Sequence, residues 1–212
     1  MMNRPCACGI ALFCGLLLVS CGDIGAPNRT NLYEFRTIVA VGDTLSFHWP
    51  TEMMPVTFWV EDSLNLRAHT DSAIAVWQRE LLYNEFHGEI IADSASADVI
   101  VRAETPPGTA VPAMVDACQA ATDLPIDRAT HVLTLPVRVY VEPRFDPSLP
   151  TTQACFATVM IHELGHVLGI MNHSSNPLDI MFSNPTVATP SERDRNTVQV
   201  MYHWPMNVTI TR

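Results

Sequence analysis

Residues 162–169 read His-Glu-Leu-Gly-His-Val-Leu-Gly, and this run constrains the fold more than any other part of the chain. Side chains four residues apart on a helix share a face, with Cβ atoms about 6 Å apart, so His162 and His166 point the same way. A glycine three residues after the second histidine can take the left-handed conformation that ends a helix and turns the chain back. The chain must therefore build a helix over about 152–168, stop it at Gly169 and return beneath the two imidazoles. His173 follows the turn, and Met181 lies eight residues further on.

Two imidazoles at this spacing can share one tetrahedral Zn2+. Glu163 stands one residue on from His162, about 100° round the helix, where its carboxylate can reach a water beside the metal without ligating it. Zinc lowers the pKa of such a water towards about 7, so a neighbouring carboxylate can act as general base and later as proton donor to a leaving amine. The chemistry implied is amide hydrolysis, with His162 and His166 as ligands and Glu163 as catalytic base.

The series His-Glu-x-x-His-x-x-Gly, a further histidine and a methionine turn resembles the metzincin metallopeptidases. Leu164-Gly165, Ser174 after the third histidine and Ile180-Met181 look most like the matrixin branch. One departure stands out. The family's third histidine falls three residues after the glycine, where this chain has Asn172, with the histidine at 173. Either Asn172 is a weaker oxygen ligand or one residue is inserted before His173. The spacing from His173 to Met181, the serine that follows, and the better affinity of imidazole for zinc make His173 the expected third ligand. The resemblance gives Met181 the role of an apolar floor under the histidines, and Ser183 stands where some branches carry a tyrosine ligand.

The N-terminus carries Arg4 and an apolar run, Ile10 to Val19, too short for a membrane span and shaped like a secretory signal. Leu18-Val19-Ser20-Cys21 resembles a bacterial lipobox, in which the cysteine becomes the lipidated first residue. An ordinary signal peptide cut nearby, or a start codon placed too early, would leave the same pattern. The expected organisation is a signal peptide over 1–20, a tether and N-terminal segment over 21–50 and a metallopeptidase domain over 51–212. The protein is then extracytoplasmic, anchored in the cell envelope through a lipid on Cys21, or secreted.

Export leaves Cys118 and Cys155 in an oxidising compartment, where they either form a disulfide or stay as two buried thiols. Removing 1–20 would leave 192 residues, enough for one core, and with Arg4 gone the formal charge of −10 becomes −11. There is no lysine and no basic stripe, which argues against nucleic-acid binding. The partner implied is a protein or peptide substrate, taken by a monomer.

Strand-like runs occur at 38–41 and 45–49 around a Gly42-Asp43 turn, at 55–60, at 89–92, at 98–102 and at 131–141, the last broken by Pro136. Helical spacing marks 65–83, with Trp77 inward, and Ser191 opens a last helix to about Tyr202. Residues 104–130 carry four prolines and show no clear element. The order fits the α+β fold of a metzincin-type zincin: a twisted mixed sheet, an active-site helix and a C-terminal helix. The resemblance adds an antiparallel edge strand that would pair with extended substrate, expected within 109–116. It supplies no cysteine-switch propeptide and no second metal site here. The competing reading is a non-catalytic zinc-binding or interaction lipoprotein whose site is spoiled by the extra residue. Retention of Glu163 argues against it, because a structural zinc site has no use for a base.

Overall fold

A computed structural model describes residues 30–108, 119–144 and 148–212. The signal segment, Cys21, the first part of the tether, the span 109–116 and Cys118 lie outside the described residues. The chain opens with a hairpin, β1 (Thr37–Ala40) and β2 (Asp43–Leu45), turning at Gly42. There follow β3 (Val56–Val60), α1 (Leu66–Glu80), β4 (Gly88–Ile90), β5 (Val99–Arg102), β6 (Ala120–Asp123), β7 (Ile126–Asp127), β8 (Val132–Thr134) and β9 (Val137–Val141). The last elements are α2 (Pro150–Leu168), α3 (Glu192–Tyr202) and β10 (Thr209–Thr211).

Five strands form one mixed sheet in the order β4-β3-β5-β9-β6, parallel except for β6, which runs antiparallel to β9. Alternation fixes which face is buried: Val56, Phe58 and Val60 of β3 and Val137, Val139 and Val141 of β9 point into the core. Leu66, Thr70, Ala73, Ile74 and Trp77 make the buried stripe of α1, at the spacing of a helix packed on one side. The Trp77 indole N–H donates to Ile161 O at 2.8 Å and that of Trp49 to Val167 O at 2.8 Å, so two tryptophans hold α2 under the sheet. Tyr33, Phe35, Phe47 and Trp49 belong to the same core as the elements after residue 50. The fold is α+β, a mixed sheet with three α-helices among the described residues, the class the sequence implies.

The antiparallel edge strand is Ala120–Asp123, several residues beyond the expected 109–116. Its sequence, Ala-Ala-Thr-Asp, is poor in the branched and aromatic residues that mark strands, so pattern reading passes over it. The extended run 131–141 divides at Pro136 into strands of two different sheets: β8 lies between β10 and β7, and β9 joins the main sheet. Among the described residues no helix is long and apolar enough to cross a membrane.

Candidate metal centre

Helix α2 carries the first two histidines, and its end shapes everything after them. Gly169 adopts φ 119°; its N–H bonds His166 O at 3.0 Å, and the Ile170 N–H bonds Gly165 O at 3.0 Å, the paired bonds of a Schellman stop. The turn delivers Ile170 O to His166 Nδ1 at 2.6 Å. Further on, Ile180 O meets His162 Nδ1 at 2.8 Å. A carbonyl can only accept, so both Nδ1 atoms carry the proton and both Nε2 atoms present bare lone pairs.

Those lone pairs converge. His166 Nε2 lies 3.2 Å from His162 Nε2 and 3.2 Å from His173 Nε2. Two nitrogens held about 2.0–2.1 Å from one tetrahedral ion stand ~3.3–3.4 Å apart, so both separations from His166 match an edge of a zinc site, and all three ligand atoms lie within 4.8 Å of one another. Facing lone pairs on His162 and His166 repel unless a cation lies between them, and the donor set therefore fits Zn2+. Burial pushes His162 down to about 4 and His166 down to about 3, and it lowers His173. Neighbouring imidazoles add to the depression of the first two, and all three rings stay neutral and free to ligate at neutral pH. Exposure rises from buried His162 through half-buried His166 to exposed His173, so the triad opens into a cleft of about 1040 Å³.

The register of His173 is set by its neighbours. Ser174 N–H donates to Met181 O at 2.8 Å, and the Ser174 hydroxyl donates to Asp179, which ties the third histidine to the methionine turn at fixed spacing. The extra residue is absorbed locally. Met171 N–H bonds Phe35 O at 2.8 Å, and the side chain of Asn172 donates to Arg36 O, away from the histidines. His173 rather than Asn172 faces the other two imidazoles. Met181 is fully buried, and a Cβ on Gly165 would lie 2.3 Å from its Sδ, so the absent side chain at 165 is what lets the methionine pack against α2 between the two helical histidines.

Two supports of the site were not legible as such. Asp194, read in sequence only as part of a helix cap, accepts from Ile180 N at 2.8 Å, Ser191 N at 2.8 Å and Tyr33 Oη at 2.7 Å. It also accepts from Met181 N at 3.4 Å, so it holds both sides of Ile180, the residue whose carbonyl orients His162. Thr122 of β6 donates its hydroxyl to Glu163 Oε2 at 2.7 Å. Burial raises Glu163 to about 7, with the Thr122 hydrogen bond working in the opposite direction. Nothing in the pattern around residue 122 signals this contact. Cys155, on the cleft side of α2, is disulfide-bonded.

A model of the matrixin family of peptidases matches residues 42–203. No curated protein matches the chain. Among solved structures it is similar to high choriolytic enzyme 1, a hatching-enzyme zinc protease from the medaka Oryzias latipes, at 12% identity and a TM-score of 0.39. That alignment covers 75% of this chain and 94% of the other.

Proposed function

The chain belongs to the matrixin family and is a zinc metalloendopeptidase, and from that premise we propose that His162, His166 and His173 hold the metal while Glu163 is the general base. The observation that carries the reading is the convergence of bare Nε2 atoms at 3.2 Å beside a buried carboxylate. Bound zinc supplies Lewis-acid polarisation of the scissile carbonyl and acidifies water. Glu163 takes the proton from the attacking water and passes it to the amine as the C–N bond breaks. A carboxylate raised to about 7 is basic enough to accept a proton and acidic enough to return it near neutral pH. Thr122 holds one oxygen of that carboxylate, which fixes the direction in which the other faces. The outer edge of β6, at the end of the sheet, pairs with no other strand among the described residues, lines the same cleft and can add an extended peptide as one more strand.

Export and anchoring belong to the same proposal and rest on the residues Leu18-Val19-Ser20-Cys21 and the apolar run before them. The protein then works as a monomer outside the cytoplasm, tethered through lipid on Cys21, on polypeptides that reach the envelope surface.

The test is Glu163→Ala. The variant should keep stoichiometric zinc and lose nearly all hydrolysis of a mixed peptide library, because the ligands stay and the base goes. A chelator should abolish wild-type activity and added zinc restore it. Full activity in the alanine variant would remove Glu163 from the mechanism.

A further inference from the structure

The cleft does not stop at β6. Beyond Asp123 the chain bends at Leu124-Pro125 and resumes as β7, and the residues from Gln119 to Leu124, together with Ile126, line the same cavity as the histidines. β6 ends the five-stranded sheet and β7 ends the three-stranded one, so each presents an edge that pairs with no other strand among the described residues. Arg128 follows immediately and also lines the cavity. Among the described residues it is the only lysine or arginine that lines the cavity, in a chain with net charge −10.

The turn that carries Arg128 is rigidly built. The Asp127 carboxylate accepts Ala129 N at 2.8 Å and Thr130 N at 3.2 Å, and His131 N–H closes on Asp127 O at 2.7 Å. His131 Nε2 lies 3.1 Å from Asp43 Oδ2, which fastens the turn to the β1–β2 hairpin. The Asp127 bonds hold the backbone, the His131–Asp43 contact joins two side chains, and none of them uses the Arg128 guanidinium. That group is exposed and has no ion-pair partner among the described residues. A cation presented by a fixed turn, at the end of a strand edge, with no acid of its own, suits an acid on whatever lies along that edge.

We propose that Arg128 is a specificity-determining residue that selects polypeptides carrying an aspartate or glutamate on the β7 side of the scissile bond. The inference rests on the endopeptidase reading above. Thr122 marks the level of Glu163, and Arg128 lies six residue steps further along the chain, at most ~20 Å at an extended ~3.3 Å per residue. The bend shortens this, so the acid falls about four to six residues from the bond that is cut. An exposed pair of this kind is worth about a two- to fivefold rate preference.

The experiment uses zinc-loaded protein and twelve-residue fluorogenic peptides in which one aspartate, asparagine or arginine is walked along both sides of a common scissile bond. Each variant is read as its own ratio of kcat/KM for acidic over neutral peptides, with zinc content and thermal midpoint as folding controls. Wild type should favour aspartate at one cluster of distant positions, on one side only. Arg128→Ala should flatten that ratio to one, and Arg128→Glu should invert it in favour of arginine. The preference should fade in high salt. The same profile in all three proteins overturns the assignment of Arg128 while leaving the peptidase reading intact. Failure of wild type to cut any peptide overturns the peptidase reading, and the inference with it.

Discussion

Replacing Gly169 by alanine tests how tightly the end of α2 is locked. At φ 119° an L side chain is strained, and the added Cβ would lie 2.0 Å from Phe47 O and 2.9 Å from Phe47 C. Phe47 cannot retreat freely: its side chain is fully buried, and Trp49, two residues on, is hydrogen-bonded to Val167 O. Left-handed strain costs ~1–2 kcal/mol, and an overpacked core contact adds ~1–3 kcal/mol. Gly42 is the control, since it has φ 81° with nothing within 4 Å of its would-be Cβ. Gly42→Ala therefore carries the strain without the collision, and the entropy lost from the unfolded chain is common to both variants. For a domain of this size ~1 kcal/mol moves the thermal midpoint by roughly 2–4 °C, which gives a fall of roughly 4–20 °C for Gly169→Ala and roughly 2–8 °C for Gly42→Ala. Circular dichroism melts of zinc-loaded protein, made side by side, measure both. Equal falls in the two variants would show that the contact with Phe47 does not constrain the helix end.

Three further outcomes follow from the site. His173→Ala should lose zinc in a competition titration against a chromogenic chelator, whereas Asn172→Ala, whose side chain only ties the loop to Arg36 O, should weaken binding by about tenfold at most; the reverse order would place Asn172 on the metal. Thr122→Val removes a hydrogen bond that favours ionised Glu163, so the carboxylate rises above its value of about 7 and the acid limb of the pH–rate profile moves to higher pH. Thr122→Ser should restore it, and an unmoved limb in the valine variant would count against the contact. Mass spectrometry of membrane-extracted protein should find Cys21 as a lipidated N-terminus; an unmodified start at another residue would leave export standing without the anchor.

The parts of the molecule that were legible in sequence are those where one residue type has one job. Helix α2, its stop at Gly169 and the alignment of His162 and His166 follow from spacing alone. Ser191 announced α3 through its capping box, which is present with Asp194. Hidden features depend on partners distant in sequence. Thr122 is one threonine in a weakly patterned stretch, and only the pairing of β6 with β9 brings it over Glu163. Strand β10 does alternate, Thr-Ile-Thr, yet its place beside β8 is a tertiary choice that a three-residue strand cannot announce. The off-register histidine lies between these cases: counting back from Met181 points to His173, and the Ser174–Met181 bond ties that residue to the methionine turn.

The bond from Asn172 to Arg36 O spans 136 residues of sequence, although the three histidines lie within one short segment. A contact that distant closes a long loop and forms only after much of the chain has been ordered. A fragment holding residues 150–181 would contain all three histidines and lack the segment before β1 whose Arg36 carbonyl receives Asn172. The last restraint on the loop ahead of His173 is thereby set by a part of the chain that enters the fold far from the histidines in sequence.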